Sequence, residues 1–216
     1  MLKINPPQKS RFLYDNIPFA EILSSEDEEV ESAFVEGQLI AGYRLMRYTF
    51  RKTLFSKCIL SECAFRKSHF SDIVFRNCDL SNADFSGAIF NRAEFVDCKL
   101  TGTLFAEAQF MNVRFGNCMG EYAVFSSGKY NNVVFSESVL REAAFDECQF
   151  SSVELDRCDL SDAEFQKTPL KGLDLTTCNI DRMRLSQSVR ELRGARISSW
   201  QAVAVARMLG MVVEDI

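Results

Sequence analysis

The chain has 216 residues, 47% of them hydrophobic and 25% charged, with a formal net charge of −5 at pH 7. That balance excludes a disordered, collagen-like or membrane-embedded chain and fits one soluble domain with or without appendages. Nineteen Phe stand beside one Trp and one His, so some element consumes phenylalanine specifically.

The start, from Met1 to Lys9, has no apolar run that could serve as a signal peptide. No stretch approaches the ~18 to 20 apolar residues of a membrane span, so a cytoplasmic chain without a membrane partner is expected. Residues 1–35 read as an N-terminal acidic arm or cap. The run Glu26-Asp27-Glu28-Glu29-Val30-Glu31 suits a solvated arm. In the other reading Phe12, Ile17, Phe19, Ile22 and Leu23 cover an open, apolar end of the main fold.

From residue 40 to residue 185, steps of five give 30 positions, of which 29 are large and apolar. Gly120 is the exception, and Met119 is expected to swing in or the chain to narrow there. Sixteen of the 19 Phe lie on this ladder, and no insertion breaks its register. A second ladder, two residues earlier, is mostly Ala, Cys, Ser, Thr, Val or Gly, and holds all eight Cys. A helix repeats every 3.6 residues and a strand every 2, so a period of five needs a corner in every repeat. Units this short cannot bury a face alone and must stack.

Every fourth rung gives Ile40, Leu60, Leu80, Leu100, Gly120, Leu140, Leu160 and Ile180, without Phe. Rungs 65 to 165 in steps of 20 are all Phe. A 20-residue period within the five-residue one means four sides, one aliphatic and three mainly aromatic. The fold class is therefore all-β: a right-handed quadrilateral β-helix over residues 36–190, with a short C-terminal helix. Residues 191–216 read as that helix followed by a strand. Ser198 and Gln201 form a capping box, Gly210 suits a left-handed C-cap, and Met211 to Val213 suit a short strand.

Little in the chain suggests chemistry. The Cys gaps are multiples of five and lack Cys-x-x-Cys, and His69 alone cannot complete a metal cluster. The Cys are expected inward as small packers, and His69 outward. No glycine-rich phosphate loop is present. No catalytic residue, cofactor site or metal site is expected, and the chain is read as not an enzyme.

The units Cys78-Asp79-Leu80-Ser81-Asn82, Ala83-Asp84-Phe85-Ser86-Gly87 and Cys158-Asp159-Leu160-Ser161-Asp162 resemble those of the pentapeptide-repeat family. That resemblance covers about two thirds of the chain and implies the right-handed β-helix. The tail, with Gln201-Ala202 and Leu209-Gly210-Met211-Val212-Val213, resembles the terminal dimerisation segment of the Qnr-type and MfpA-type members. Their resemblance implies a rod-shaped homodimer that joins through its C-terminus and binds DNA gyrase or topoisomerase IV, modulating quinolone-type inhibitors or gyrase toxins. The absence of loops in the ladder resembles the loopless members. The dimer surface is expected at Trp200, Val203, Ala204, Met208, Leu209, Met211 and Val213. A cap within one chain remains the alternative.

Charge is graded along the chain. Residues 40–71 carry seven bases against Glu62, and residues 137–181 carry eleven acids against four bases. A dimer joined at its C-termini would then have a negative centre and basic tips. Duplex DNA is also a rod of regular negative charge, so such a rod suits a DNA-binding saddle without binding nucleic acid itself. The expected partner-binding acids are Asp146, Glu147, Glu154, Asp156, Asp159, Asp162 and Glu164. The alternative is a general protein-interaction scaffold or effector module.

Overall fold

The computed structural model describes residues 2–8, 16–23 and 28–214. Its elements run as helix α1 (Phe19–Leu23), short strands β1 (Glu29–Glu31), β2 (Phe34–Glu36), β3 (Thr49–Arg51) and β4 (Leu54–Ser56), then five eight-residue strands. These are β5 (His69–Arg76), β6 (Ile89–Val96), β7 (Gln109–Gly116), β8 (Lys129–Ser136) and β9 (Gln149–Asp156). A single 3₁₀ turn (Arg190–Leu192) and helix α2 (Gln201–Met208) complete the order. These strands pair in parallel, and the register advances by 20 residues, as in Phe70↔Phe90 and Phe95↔Phe115. Bridges on the other two sides keep the same interval, as in Asp79↔Lys99 and Ala64↔Asp84. This is the four-sided, right-handed β-helix.

The corner each repeat needs is a left-handed residue. From Ser32 to Arg182, positive φ falls at the second position after a rung, as at Asn77, Asn82, Gly87 and Asp97. Asn, Asp and Gly tolerate that region best, and they recur there.

The three aromatic columns stack rung on rung. Phe65, Phe85, Phe105, Phe125, Phe145 and Phe165 lie 4.7–5.2 Å apart with interplanar angles of 5–8°. Neighbouring columns meet edge to face, as in Phe70–Phe85 at 5.6 Å and 65°. Parallel stacking along the axis and T-contacts across it satisfy the ring quadrupole in both directions.

The small ladder does more than fill space. Seven Cys thiols donate to a carbonyl 23 residues earlier, as Cys98 Sγ does to Phe75 O at 3.4 Å. Ser68, Thr103 and Thr168 repeat the bond with hydroxyls. Burial pushes the thiols of Cys63 and Cys148 up to about 11 and that of Cys118 to about 12.

Gly120 is not filled by Met119, which is half exposed. Instead Leu140 leans in, its Cδ2 3.0 Å from where a Cβ would stand. Gly128 leaves room for the fully buried Tyr130 ring, and Tyr130 Oη donates to Phe125 O at 2.8 Å. The strand register shifts beside Tyr130, and Phe150 turns to 80° across it.

Both boundaries of the repeat region are corrected. Val30 pairs with Phe50 and Val35 with Phe55, so the coil begins before residue 36. Two aliphatic rungs stand where the acidic run seemed to end the ladder. Below them Phe19 and Ile22 are buried in the core, and Ile17 packs against it. Phe12, Glu26 and Asp27 lie outside the described residues. At the far end Leu170 N–H donates to Glu191 O and Leu175 N–H to Arg196 O. One further coil edge therefore lies beyond residue 190, lengthened through the 3₁₀ turn. Buried Glu191 holds it closed by accepting from Lys167 N–H (3.0 Å) and Ser186 Oγ–H (2.9 Å).

Candidate functional site

Two surfaces are expected to act, an acidic one on the rod and an apolar one at its C-terminal end. The 20-residue register places the seven expected acids on the rod. Glu154 and Asp156 flank one side, Asp159 lies on the next, and Asp162, Glu164, Asp146 and Glu147 lie on and around a third. They form a band over three sides, not one face.

Within that band Glu147 is the exposed member, and the other six are half-buried and engaged. Asp162 takes a bidentate pair from Arg182 at 2.7–2.9 Å, Glu164 pairs with Arg184 at 2.7 Å, and Glu147 with Lys167 at 2.6 Å. Asp159 accepts from Ser161 N–H and Oγ–H and from Asn179, which pins its turn. Asp156 accepts from Thr177 Oγ–H at 3.2 Å and faces Arg157 at 3.2 Å. Asp146 accepts Gln166 N–H at 2.7 Å, while burial and nearby Glu164 raise its carboxyl above the ordinary range. The carboxylates are thus fixed in place, and cations one coil further on screen several of them.

The expected charge picture changes for the same reason. Residues 182–207 carry six Arg against Glu191. Arg182, Arg184 and Arg196 reach back to Asp162, Glu164 and Asp174. Two rods joined at their C-termini would meet through an arginine-rich zone, with the acidic bands set back from the junction.

At that end α2 lies across the last coil. Gln201 is fully buried, and its Nε2–H groups donate to Leu175 O (2.9 Å) and Cys178 O (2.7 Å). Its Oε1 accepts Ser198 N–H at 2.8 Å, and Ser198 Oγ accepts Gln201 N–H at 3.3 Å, which is the expected capping box. Gly210, at φ +79°, ends the helix. Val205 and Met208 are partly buried and pack against the core. Val203, Ala204 and Val213 are half-buried. Trp200 (66% exposed), Leu209 (48%) and Met211 (58%) stay outside. Val212, the most exposed at 89%, lies in the tail segment but was not among the residues expected at the dimer surface. The expected strand at Met211 to Val213 is not formed, because no strand of the same chain lies beside it among the described residues.

An unexpected third feature lies along the rod. Residues 2–8 run back over four coils, contacting Glu154, Asn132, Asn112 and Asp72 in turn. Among the described residues no group of three His, Cys, Asp or Glu could hold a metal ion. No helix there is long and apolar enough to cross a membrane.

No curated protein matches the chain in sequence. Among solved structures, a trypsin-treated variant of QnrB1, a plasmid-mediated fluoroquinolone resistance protein, is 20% identical. That alignment covers 87% of this chain and 99% of the other, with a TM-score of 0.50. HetL, a pentapeptide repeat protein involved in heterocyst differentiation regulation in Nostoc sp. strain PCC 7120, is 16% identical. It covers 84% of this chain and 92% of the other, with a TM-score of 0.42. The pentapeptide repeat region profile matches residues 48–118 and 68–145, and the pentapeptide repeats profile matches residues 143–182. With its five-residue ladder and 20-residue coil register, the chain belongs to the pentapeptide-repeat family.

Proposed function

We propose that this chain is a non-catalytic rod that binds a protein partner, and that the partner is DNA gyrase or topoisomerase IV. There it modulates quinolone-type inhibitors, a role in keeping with its likeness to QnrB1, a plasmid-mediated fluoroquinolone resistance protein. The observation that carries the reading is the band of carboxylates over residues 137–181, set at coil spacing and held by backbone N–H groups, turns and ion pairs along the axis. Preorganised charge of that kind complements a basic DNA-binding saddle without reorganising on contact. Trp200, Leu209, Met211 and Val212 supply an apolar tip through which two rods join.

A second reading, a protein-interaction scaffold with another partner, is favoured by one observation. Arg157, Lys167, Arg182 and Arg184 already pair with acids of the band.

A gyrase supercoiling assay with and without a fluoroquinolone separates the two. The full chain is expected to inhibit supercoiling or to restore it under the drug. Glu137→Lys with Glu147→Lys, both at exposed sites, should raise the concentration needed about tenfold, the scale of ~1.4 kcal/mol. Trp200→Asp with Val212→Asp should do the same by separating the rods. If the full chain neither inhibits nor protects, the topoisomerase reading fails and the scaffold reading stands.

A further inference from the structure

Residues 2–8 are laid on the rod by their main chain. Leu2 N–H donates to the Glu154 carboxylate, and Asn132 Nδ2–H donates to Lys3 O at 3.1 Å. Asn5 N–H faces Asn112 Oδ1 at 3.5 Å, and Gln8 N–H donates to Asp72 Oδ1 at 2.8 Å. Asp72, Asn112 and Asn132 occupy the same corner of coils 20 or 40 residues apart, so they form one column along the axis. The column from Asp72 to Glu154 spans four coils, roughly 19 Å at ~4.8 Å each. The six steps from Leu2 to Gln8 reach roughly 20 Å at ~3.3 Å each. The segment is therefore fully extended and matched in pitch to the furrow beneath it.

Side chains add to that fit. Pro7 is buried, and Leu2 and Ile4 are half-buried. A cleft of 360 Å³ between segment and rod is lined by Ile4, Pro6, Arg114, Val134 and Arg157 among others. Residues 1–11 hold Lys3, Lys9 and Arg11 and no acid, and Asp72, Glu94, Glu154 and Asp156 edge the furrow beside Arg92, Arg114 and Arg157. The seat is itself built: Asp72 is only 7% exposed and is locked by a bidentate pair with Arg92, both bonds at 2.7 Å.

We propose that the furrow from Asp72 to Glu154 is a docking surface for an extended, cationic, proline-containing peptide, with residues 2–8 as its resident ligand. Recognition runs through backbone amides and carbonyls, which fix the conformation and polarity of the guest, while the seats of Leu2, Ile4 and Pro7 set which sequence fits. A segment of a partner protein with the same aliphatic, basic and proline pattern takes the furrow once the resident segment leaves. Tethering places the resident at an effective concentration on the order of 1 mM. A free peptide that binds with a Kd of about 0.1 mM is then suppressed about tenfold in the parent chain.

The test uses a fluorescein-labelled peptide with the sequence of residues 1–9, followed by fluorescence anisotropy. Its hosts are the full chain and a full-length variant carrying Leu2→Asp and Ile4→Asp. Those positions lie outside the core ladders, and unchanged circular dichroism confirms the fold. The variant is expected to bind the peptide saturably at one site, at least tenfold tighter than the parent does. Adding Asn112→Gly and Asn132→Gly to the variant, which keeps the left-handed corners unstrained, should remove most of that binding. A scrambled peptide of equal charge should bind weakly. No binding to the variant, equal binding to both hosts, or binding indifferent to both asparagines would overturn the proposal. So would equal binding of the scrambled peptide, which would show attraction by charge alone.

Discussion

Gln201 is the residue on which the end of the rod most visibly depends, and Gln201→Leu isolates what it does. The change keeps the side-chain volume and removes every bond the amide makes. Leu175 O and Cys178 O, both met by Gln201 Nε2–H, lose a donor at a site with no exposed surface. Leu175 O keeps the Cys178 N–H at 2.9 Å, so the unpaired group is Cys178 O, at a cost of roughly 1–3 kcal/mol. The capping box with Ser198 adds roughly 1 kcal/mol. Because repeat arrays couple mainly between neighbours, the loss should stay near the last coils. Hydrogen exchange resolves this site by site. At about 3 kcal/mol, the amides of Cys178 and Asn179 should exchange roughly 150 times faster, while those of β7 keep their rates. An acceleration below tenfold at Cys178 and Asn179 would refute the idea that this amide closes the coil. So would an equal change in β7.

Gly128→Ala should destabilise the chain by about 1–3 kcal/mol in urea melts, because the new methyl would stand 2.8 Å from Tyr130 Cε2. Tyr130→Leu in the same chain should recover part of that loss, and a melt unaltered by Gly128→Ala would contradict the packing. Acid should also weaken the fold. Burial opposes ionisation of Asp72 and Glu191, yet Arg92 and the Gln8 N–H hold Asp72 below the usual range, and Ser186 and nearby backbone N–H groups do so for Glu191. Folded values below unfolded ones of about 4 mean stability that is present above pH ~5 and lost as pH falls through the folded values. The urea midpoint should therefore drop below about pH 4, and less steeply with Asp72→Asn and Glu191→Gln; identical pH profiles would sink the assignment.

Much of the fold was legible because a solenoid writes its geometry as periodicity. The step of five located the inward residues, and the Phe-free set from Ile40 to Ile180 disclosed four sides. The same arithmetic, applied to charge, would have exposed the axial ion pairs. Asp72–Arg92, Glu121–Arg141, Glu147–Lys167, Asp162–Arg182 and Glu164–Arg184 are each an acid and a base 20 residues on. Reading acids as a sum over a segment, rather than by column, made a paired band look like a bare face. Val30 and Val35 were in step with the ladder but hidden among acids that point outward. The path of residues 2–8 was not legible at all, since backbone N–H groups bind it and every sequence carries those. Nor was the partial burial of Met208 against the core, which depends on how α2 is seated by a buried glutamine.

The seat of that N-terminal segment bears on the order in which the molecule is completed. A ribosome releases Leu2 early, but Glu154, which receives its amide, is made 152 residues later. The solenoid can grow coil by coil behind the exit tunnel, each turn laid on the one before. Residues 2–8 gain their seats one at a time, Gln8 at Asp72 early in that growth and Leu2 at Glu154 only when most of it is finished.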